Sequence, residues 1–176
     1  MYFNRKVIQH NIKIALNSCF ICTIILFTSC NDQKEKKSLI TLFEISKGTQ
    51  TPEYKDVISF YKNLAKAHPT VSITQEDQTD SGYPLHVIYF DPTGKSITSI
   101  SQAKKRNKNI LLINNGIHPG ESDGIDASML LLRDLAQGNI VAPTNTIVAV
   151  IPVYNIGGAL QRNSTTRTNQ QGPLVY

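Results

Sequence analysis

Cysteine is absent after position 30 of this 176-residue chain, and long apolar runs are absent throughout. No disulfide can therefore stabilise the larger part of the chain, which has to fold around its apolar core alone. No apolar run reaches the roughly 18–20 residues that a membrane-spanning helix needs. Apolar residues at 40% and charged residues at 18% are typical of a globular protein and argue against a disordered or fibrous one.

Acidic residues are missing from residues 1–29, where three basic residues occur. This segment accounts for most of the formal net charge of +5, and residues 30–176 carry a net charge of only +2. The basic stretch 104–108 contains no aromatic side chain on which a base could stack. The sequence therefore predicts no nucleic-acid partner.

The N-terminal segment has the organisation of an export signal. Basic residues precede the short apolar stretch 19–27, and Thr28-Ser29-Cys30 follows it. Small residues before a cysteine resemble the bacterial lipobox, in which that cysteine receives a diacylglyceryl group and becomes the mature N-terminus. We therefore predict a signal peptide over 1–29 and a lipoprotein anchored through Cys30 to a membrane of the bacterial cell envelope, periplasmic or at the surface. An ordinary cleaved signal peptide and a short membrane anchor are the alternatives.

The remaining chain is expected to form a tether and a folded domain. Residues 30–51 are polar and at first rich in lysine, which suits a flexible tether. The domain is expected over 52–176, beginning with a helix that has Thr51 as its N-cap and Pro52 at its first position. The later pattern predicts a β-hairpin and then a strand, a helix and a strand, over 71–75, 85–90, 109–115, 122–135 and 146–153. A βαβ unit of this kind predicts an α/β fold with a mixed, largely parallel sheet flanked by helices.

The segment from Asn114 to Ser122 carries the most informative chemistry. It connects a predicted buried strand to the start of a helix, which is where ligands bind in open α/β sheets. His118 and Glu121 lie on this turn, which Pro119 stiffens. A neutral imidazole and an ionised carboxylate both bind zinc, so the pair is a candidate for two ligands of a catalytic site. Alternatively, His118 lies in an ordinary turn and Glu121 interacts with the positive end of the helix.

The segment Gly116-Ile117-His118-Pro119-Gly120-Glu121 resembles the first zinc-ligand motif of the carboxypeptidase A-like zinc carboxypeptidases. In that family both the histidine and the glutamate bind zinc. The predicted strand 146–153 resembles the family's next strand, and the turn after it resembles the family's Asn-Pro-Asp-Gly turn. Only the first and last positions of that turn match, as Asn155 and Gly158. The resemblance spans 52–176.

The polar tail resembles the family segment that carries a substrate-binding arginine. Arg167 matches better by its spacing from Asn155, and Arg162 is the alternative. The resemblance implies that this arginine binds the terminal carboxylate of a peptide substrate or polarises the carbonyl of the bond that is cut. A surface arginine in a polar loop is the other interpretation.

The resemblance implies a zinc-dependent metallocarboxypeptidase, a hydrolase acting on C-terminal peptide bonds or related amide bonds. Family members also have a third zinc ligand, a histidine far downstream, and a later glutamate as general base. Neither has a match here, because no histidine follows His118 and the acids after Glu121 all fall within the predicted helix. We therefore expect the N-terminal part of such a domain, inactive as this chain.

Two other functions remain open from the sequence. One is a non-catalytic envelope lipoprotein, a binding module that uses the same fold without the chemistry. The other is a serine hydrolase, since Ser122 lies at a strand–turn–helix junction. The serine hydrolase ranks last because no Gly-x-Ser-x-Gly elbow occurs in the chain.

Overall fold

The computed structural model describes residues 39–163, which lie within one unit, Leu39–Tyr176. The helices are α1 Leu42–Ile45, α2 Tyr54–Ala67, α3 Ile100–Lys105, α4 Asp123–Gln137 and α5 Ile156–Leu160. The strands are β1 Val71–Gln78, β2 Pro84–Phe90, β3 Asn109–Asn114 and β4 Thr146–Ile151. None of the helices in the described range has the length and apolar character needed to span a bilayer.

The four strands form one mixed sheet in the order β1-β2-β4-β3. Strands β3 and β4 are parallel, with Asn109 opposite Thr146 and Asn114 opposite Ile151. The pairs β1–β2 and β2–β4 are antiparallel. The mixed sheet flanked by helices is confirmed, but over residues 39–163 antiparallel pairs outnumber the parallel one, contrary to the expected largely parallel sheet. The connection between β1 and β2 is too short for a parallel crossover, so that pair has to be a hairpin.

Helices cover both faces of the sheet. Successive side chains of a strand point to opposite faces, so each strand contributes to a core on either side. Ile88 of β2 and Val150 of β4 face the larger core, which the sheet forms with α2 and α4. Tyr89 and Ala149 point to the opposite face, where a smaller core includes Ala103 of α3. The described residues therefore form three layers, with the βαβ unit β3–α4–β4 as predicted.

Residues 39–51, which the sequence assigns to the tether, pack on the domain. Leu39 is buried in the larger core. Thr41 and Glu44 form a capping box at α1, a signal that the sequence contains as Thr-x-x-Glu. Arg133 of α4 donates to the carbonyl of Leu39 at 3.2 Å and to the Glu44 carboxylate at 2.6 Å. The described part of this segment thus belongs to the folded unit.

Three local expectations differ from the structure. Helix α2 begins at Tyr54 with Glu53 at the N-cap position, because the Thr51 hydroxyl binds a side chain of α4 instead. Strand β3 is not buried: Leu111 and Leu112 are 52% and 55% exposed, because β3 lies at one edge of the described sheet. Helices α3 and α5 occupy stretches without a clear helical pattern in the sequence.

A pair of substitutions tests whether the domain starts before residue 52. We expect Leu39→Ala to lower the free energy of unfolding by about 2–3 kcal/mol, because it leaves a cavity in the larger core. Ile45→Ala, at a residue 68% exposed in the same segment, should change it by less than about 0.5 kcal/mol. Urea denaturation measures both. Equal, small effects of the two variants would contradict the packing of this segment.

Candidate metal centre

The loop that carries His118 is held by backbone hydrogen bonds that continue the β3–β4 ladder beyond both strands. The Asn115 N–H donates to the Ile151 carbonyl at 3.0 Å, and the Tyr154 N–H donates to the Asn115 carbonyl at 2.8 Å. The Asn155 N–H then donates to the Gly116 carbonyl at 2.9 Å. Two loops leave the same end of the sheet side by side, so the segments that carry His118 and Asn155 have a fixed relative position.

The turn of this loop needs a glycine where the sequence has one. Gly116 has φ of +58°, in the left-handed region that favours glycine. A Cβ at this position would lie 3.4 Å from both Ile125 Cδ1 of α4 and Val153 Cγ1. Gly116 therefore lets the chain turn away from β3 while packed against the larger core.

His118 and Glu121 converge at the tip of the loop. The distance between His118 Nδ1 and Glu121 Oε1 is 3.0 Å, and the His118 N–H donates to Glu121 Oε2 at 3.1 Å. The His118 side chain is 56% exposed and that of Glu121 25%. The loop thus presents an imidazole nitrogen and a carboxylate oxygen next to each other at an accessible position.

This geometry is close to, but tighter than, that of two ligands of one zinc ion. With bond lengths of about 2.0–2.2 Å, two ligands of a tetrahedral zinc lie about 3.3–3.5 Å apart. The observed distance of 3.0 Å between Nδ1 and Oε1 is that of a direct hydrogen bond, so to share a zinc ion the two groups would have to separate by a few tenths of an ångström and give up the proton between them. A third donor does not join them in the described range, because residues 39–163 contain no group of three His, Cys, Asp or Glu side chains able to hold a metal.

Asn115 anchors the loop to α4, a role that the sequence did not predict. It is buried, and its Nδ2 donates to Ser128 Oγ of α4 at 2.8 Å. Its backbone N–H and carbonyl both belong to the extended ladder. The sequence shows only a polar residue directly after a strand. Such residues are common in loops, so this feature alone does not indicate a structural role.

A buried polar cluster lies where α4 meets residues 51–52. The Thr51 hydroxyl donates to Asp126 Oδ2 at 2.7 Å, and Arg162 Nη2 donates to the carbonyls of Thr51 and Pro52 at 3.4 and 2.8 Å. Among residues 39–163, Asp126 Oδ1 and the Tyr61 hydroxyl are buried without a hydrogen-bond partner.

Burial controls the ionisation of this cluster. It raises the pKa of Asp126 to about 6, although the Thr51 hydroxyl and the charge of Arg162 act in the opposite direction. Burial also raises the pKa of Tyr61, and the nearby charge of Asp126 adds to that effect. The fold therefore contains a carboxyl group whose charge is costly at neutral pH.

The predicted site residues fall into three groups. His118 and Glu121 are brought together. Arg162 donates to the backbone carbonyls of Thr51 and Pro52, just before α2. Arg167 and Cys30 lie outside the described residues, so their predicted roles in substrate binding and lipid attachment stay predictions.

Comparison with known proteins supports the fold. No protein-family model matches the sequence, and no curated protein matches it. Carboxypeptidase A from Helicoverpa armigera is structurally similar, with a TM-score of 0.53 and 17% identity over 64% of this chain and 26% of that chain. Bovine thrombin-activatable fibrinolysis inhibitor in complex with tick carboxypeptidase inhibitor gives a TM-score of 0.50 and 18% identity over 63% of this chain and 33% of that one. The chain thus has a carboxypeptidase-like α/β fold and spans a third or less of these two proteins' length.

Stability against pH tests the buried carboxyl group. Between its ordinary pKa of 3.8 and about 6, Asp126 keeps its proton in the folded state and loses it in the unfolded state, so stability falls as pH rises. We expect this fall to be smaller by on the order of 2 kcal/mol in Asp126→Asn, which does not ionise. Denaturation at pH 4 and pH 7 measures it.

The matched control is Asp77→Asn, at an exposed acidic side chain of β1 that is not among the groups acting on the pKa of Asp126. This variant should keep the pH dependence of the unaltered chain. If Asp126→Asn keeps it as well, the raised pKa of Asp126 is wrong.

Proposed function

We propose that His118 and Glu121 supply two ligands to the zinc site of a carboxypeptidase A-like metallocarboxypeptidase. Such an enzyme hydrolyses the C-terminal peptide bond of its substrate, or related amide bonds. The observation that carries the proposal is the 3.0 Å distance between His118 Nδ1 and Glu121 Oε1, at the carboxyl end of a parallel strand in a carboxypeptidase-like fold. Ligands bind at this end of the strands in α/β sheets.

The roles of the chain's own residues follow from their chemistry. When bound, zinc supplies Lewis-acid polarisation of a carbonyl. Glu121 holds its position through the His118 N–H, which leaves its other oxygen directed at the imidazole. Of the two arginines, Arg167 is the better candidate for the substrate carboxylate, because Arg162 donates from Nη2 to the carbonyls of Thr51 and Pro52.

A second candidate is a non-catalytic binding module with the same fold. Within residues 39–163 no group of three metal-binding side chains is present, which does not distinguish the two functions. A lipid anchor at Cys30 in the bacterial envelope suits either function, and it remains part of the proposal. Zinc affinity separates the two, because only a peptidase site needs it.

Zinc titration of the purified chain tests the metal site. We expect binding that weakens by at least about tenfold in His118→Ala and in Glu121→Ala, because each variant removes one donor. Calorimetry gives the dissociation constants. His68→Ala is the control, since His68 ends α2 and should not affect zinc. No zinc binding, or equal affinity in all four proteins, favours the binding module and contradicts the peptidase site.

Activity assays test the missing part of the site. We expect the purified 176-residue chain to release no C-terminal amino acid from peptides, because the third ligand and the general base have no match in it. Release can be followed by mass spectrometry with and without added zinc. Turnover that is lost in His118→Ala would show that the chain carries a complete catalytic set.

A further inference from the structure

The first turn of α5 lies directly against the loop that carries His118. Gly158 is the third residue of this helix, and its N–H donates to Asn155 Oδ1 at 2.9 Å, which caps the helix. A Cβ on Gly158 would lie only 2.6 Å from Pro119 Cγ. Real Cβ atoms do not approach other heavy atoms so closely, so the Pro119 ring occupies space that only glycine leaves open.

Pro119 transmits this contact to both candidate ligands. It follows His118 directly, and its ring restricts the backbone next to that residue. The His118 N–H also donates to the Glu121 carboxylate. Any displacement of Pro119 therefore moves the histidine backbone and the carboxylate that depends on it.

The cap of α5 provides a second connection to the same loop. The Cβ of an alanine at 158 would also lie 2.9 Å from Asn155 Oδ1. The Asn155 N–H in turn donates to the Gly116 carbonyl at 2.9 Å. Gly158 is thus connected to the segment between β3 and α4 twice, directly through Pro119 and indirectly through Asn155.

We propose that Gly158 is a positioning residue for the His118–Glu121 pair: its missing side chain lets Pro119 seat against α5 and so sets the separation of the two ligands. The proposal rests on the proposed metal site and adds a requirement from a different loop. It also gives the glycine of the Asn155–Gly158 turn a steric role that does not depend on backbone dihedrals, because Gly158 is not among the glycines with positive φ.

The neighbouring glycine is a matched control. A Cβ on Gly157 would lie 3.4 Å from Ser81 Cβ in the β1–β2 turn, a contact that needs little or no adjustment. Gly157 also lacks a positive φ. Alanine therefore has the same intrinsic helical preference at both positions. Only at position 158 would its Cβ overlap with Pro119, in the loop that carries His118.

The experiment is zinc titration of the full chain, with the His118 imidazole signals followed by NMR and thermal unfolding measured in parallel. We expect Gly158→Ala to weaken zinc binding by about 10–100-fold, the usual loss when a group that orients a ligand is disturbed. Gly157→Ala should stay within about twofold. In a Pro119→Ala background, which lacks Cγ, Gly158→Ala should cost a smaller factor, since contacting residues are coupled.

The outcomes separate the two proposals. If Gly158→Ala and Gly157→Ala bind zinc equally, or if Gly158→Ala costs the same factor with and without Pro119, the positioning role is wrong. If the unaltered chain binds no zinc at His118, the metal site is wrong. The backbone amide signals of His118 and Glu121 then decide the steric contact alone: they should shift in Gly158→Ala and not in Gly157→Ala, and unchanged signals would overturn it.

Discussion

The parallel pairing of β3 with β4 is the interaction on which the candidate site depends. Its register places Asn114 opposite Ile151, and backbone hydrogen bonds continue the pairing through Asn115 and Gly116. The loop with His118 and the turn with Asn155 therefore leave the sheet together. A shift of one residue would reverse the faces of the strand and separate the two loops.

The patterns that the sequence revealed are local ones. The pattern over 122–135 predicted α4, where Ile125, Met129 and Leu132 are buried at helical spacing. The hairpin and the βαβ unit were also predicted, because each depends on short segments with clear turns. The close approach of His118 and Glu121 followed from their separation along a stiffened turn.

The features that sequence reasoning missed depend on distant contacts. Thr51 is a residue type that favours the N-cap position. Its hydroxyl instead donates a hydrogen bond to the buried carboxyl group of Asp126, 75 residues away. Leu39 looked like part of a polar tether because its partners lie in other elements. The exposure of Leu111 and Leu112 depends on strand order, which the pattern of a single strand does not contain.

The fold and the chemistry rest on different observations. At 17% and 18% identity, similarity to solved carboxypeptidases describes the path of the backbone. The proposed chemistry depends on His118 and Glu121, whose loop is in contact with Asn115 and Gly158. Both contacts lie within residues 39–163, where no group of three metal-binding side chains is present.

X-ray absorption at the zinc edge of the zinc-loaded chain tests whether His118 and Glu121 bind the metal. We expect an imidazole nitrogen and a carboxylate oxygen at about 2.0–2.2 Å from the metal, with the imidazole signature lost in His118→Ala. A spectrum that shows oxygen from water alone, or one that His118→Ala leaves unchanged, would contradict this expectation.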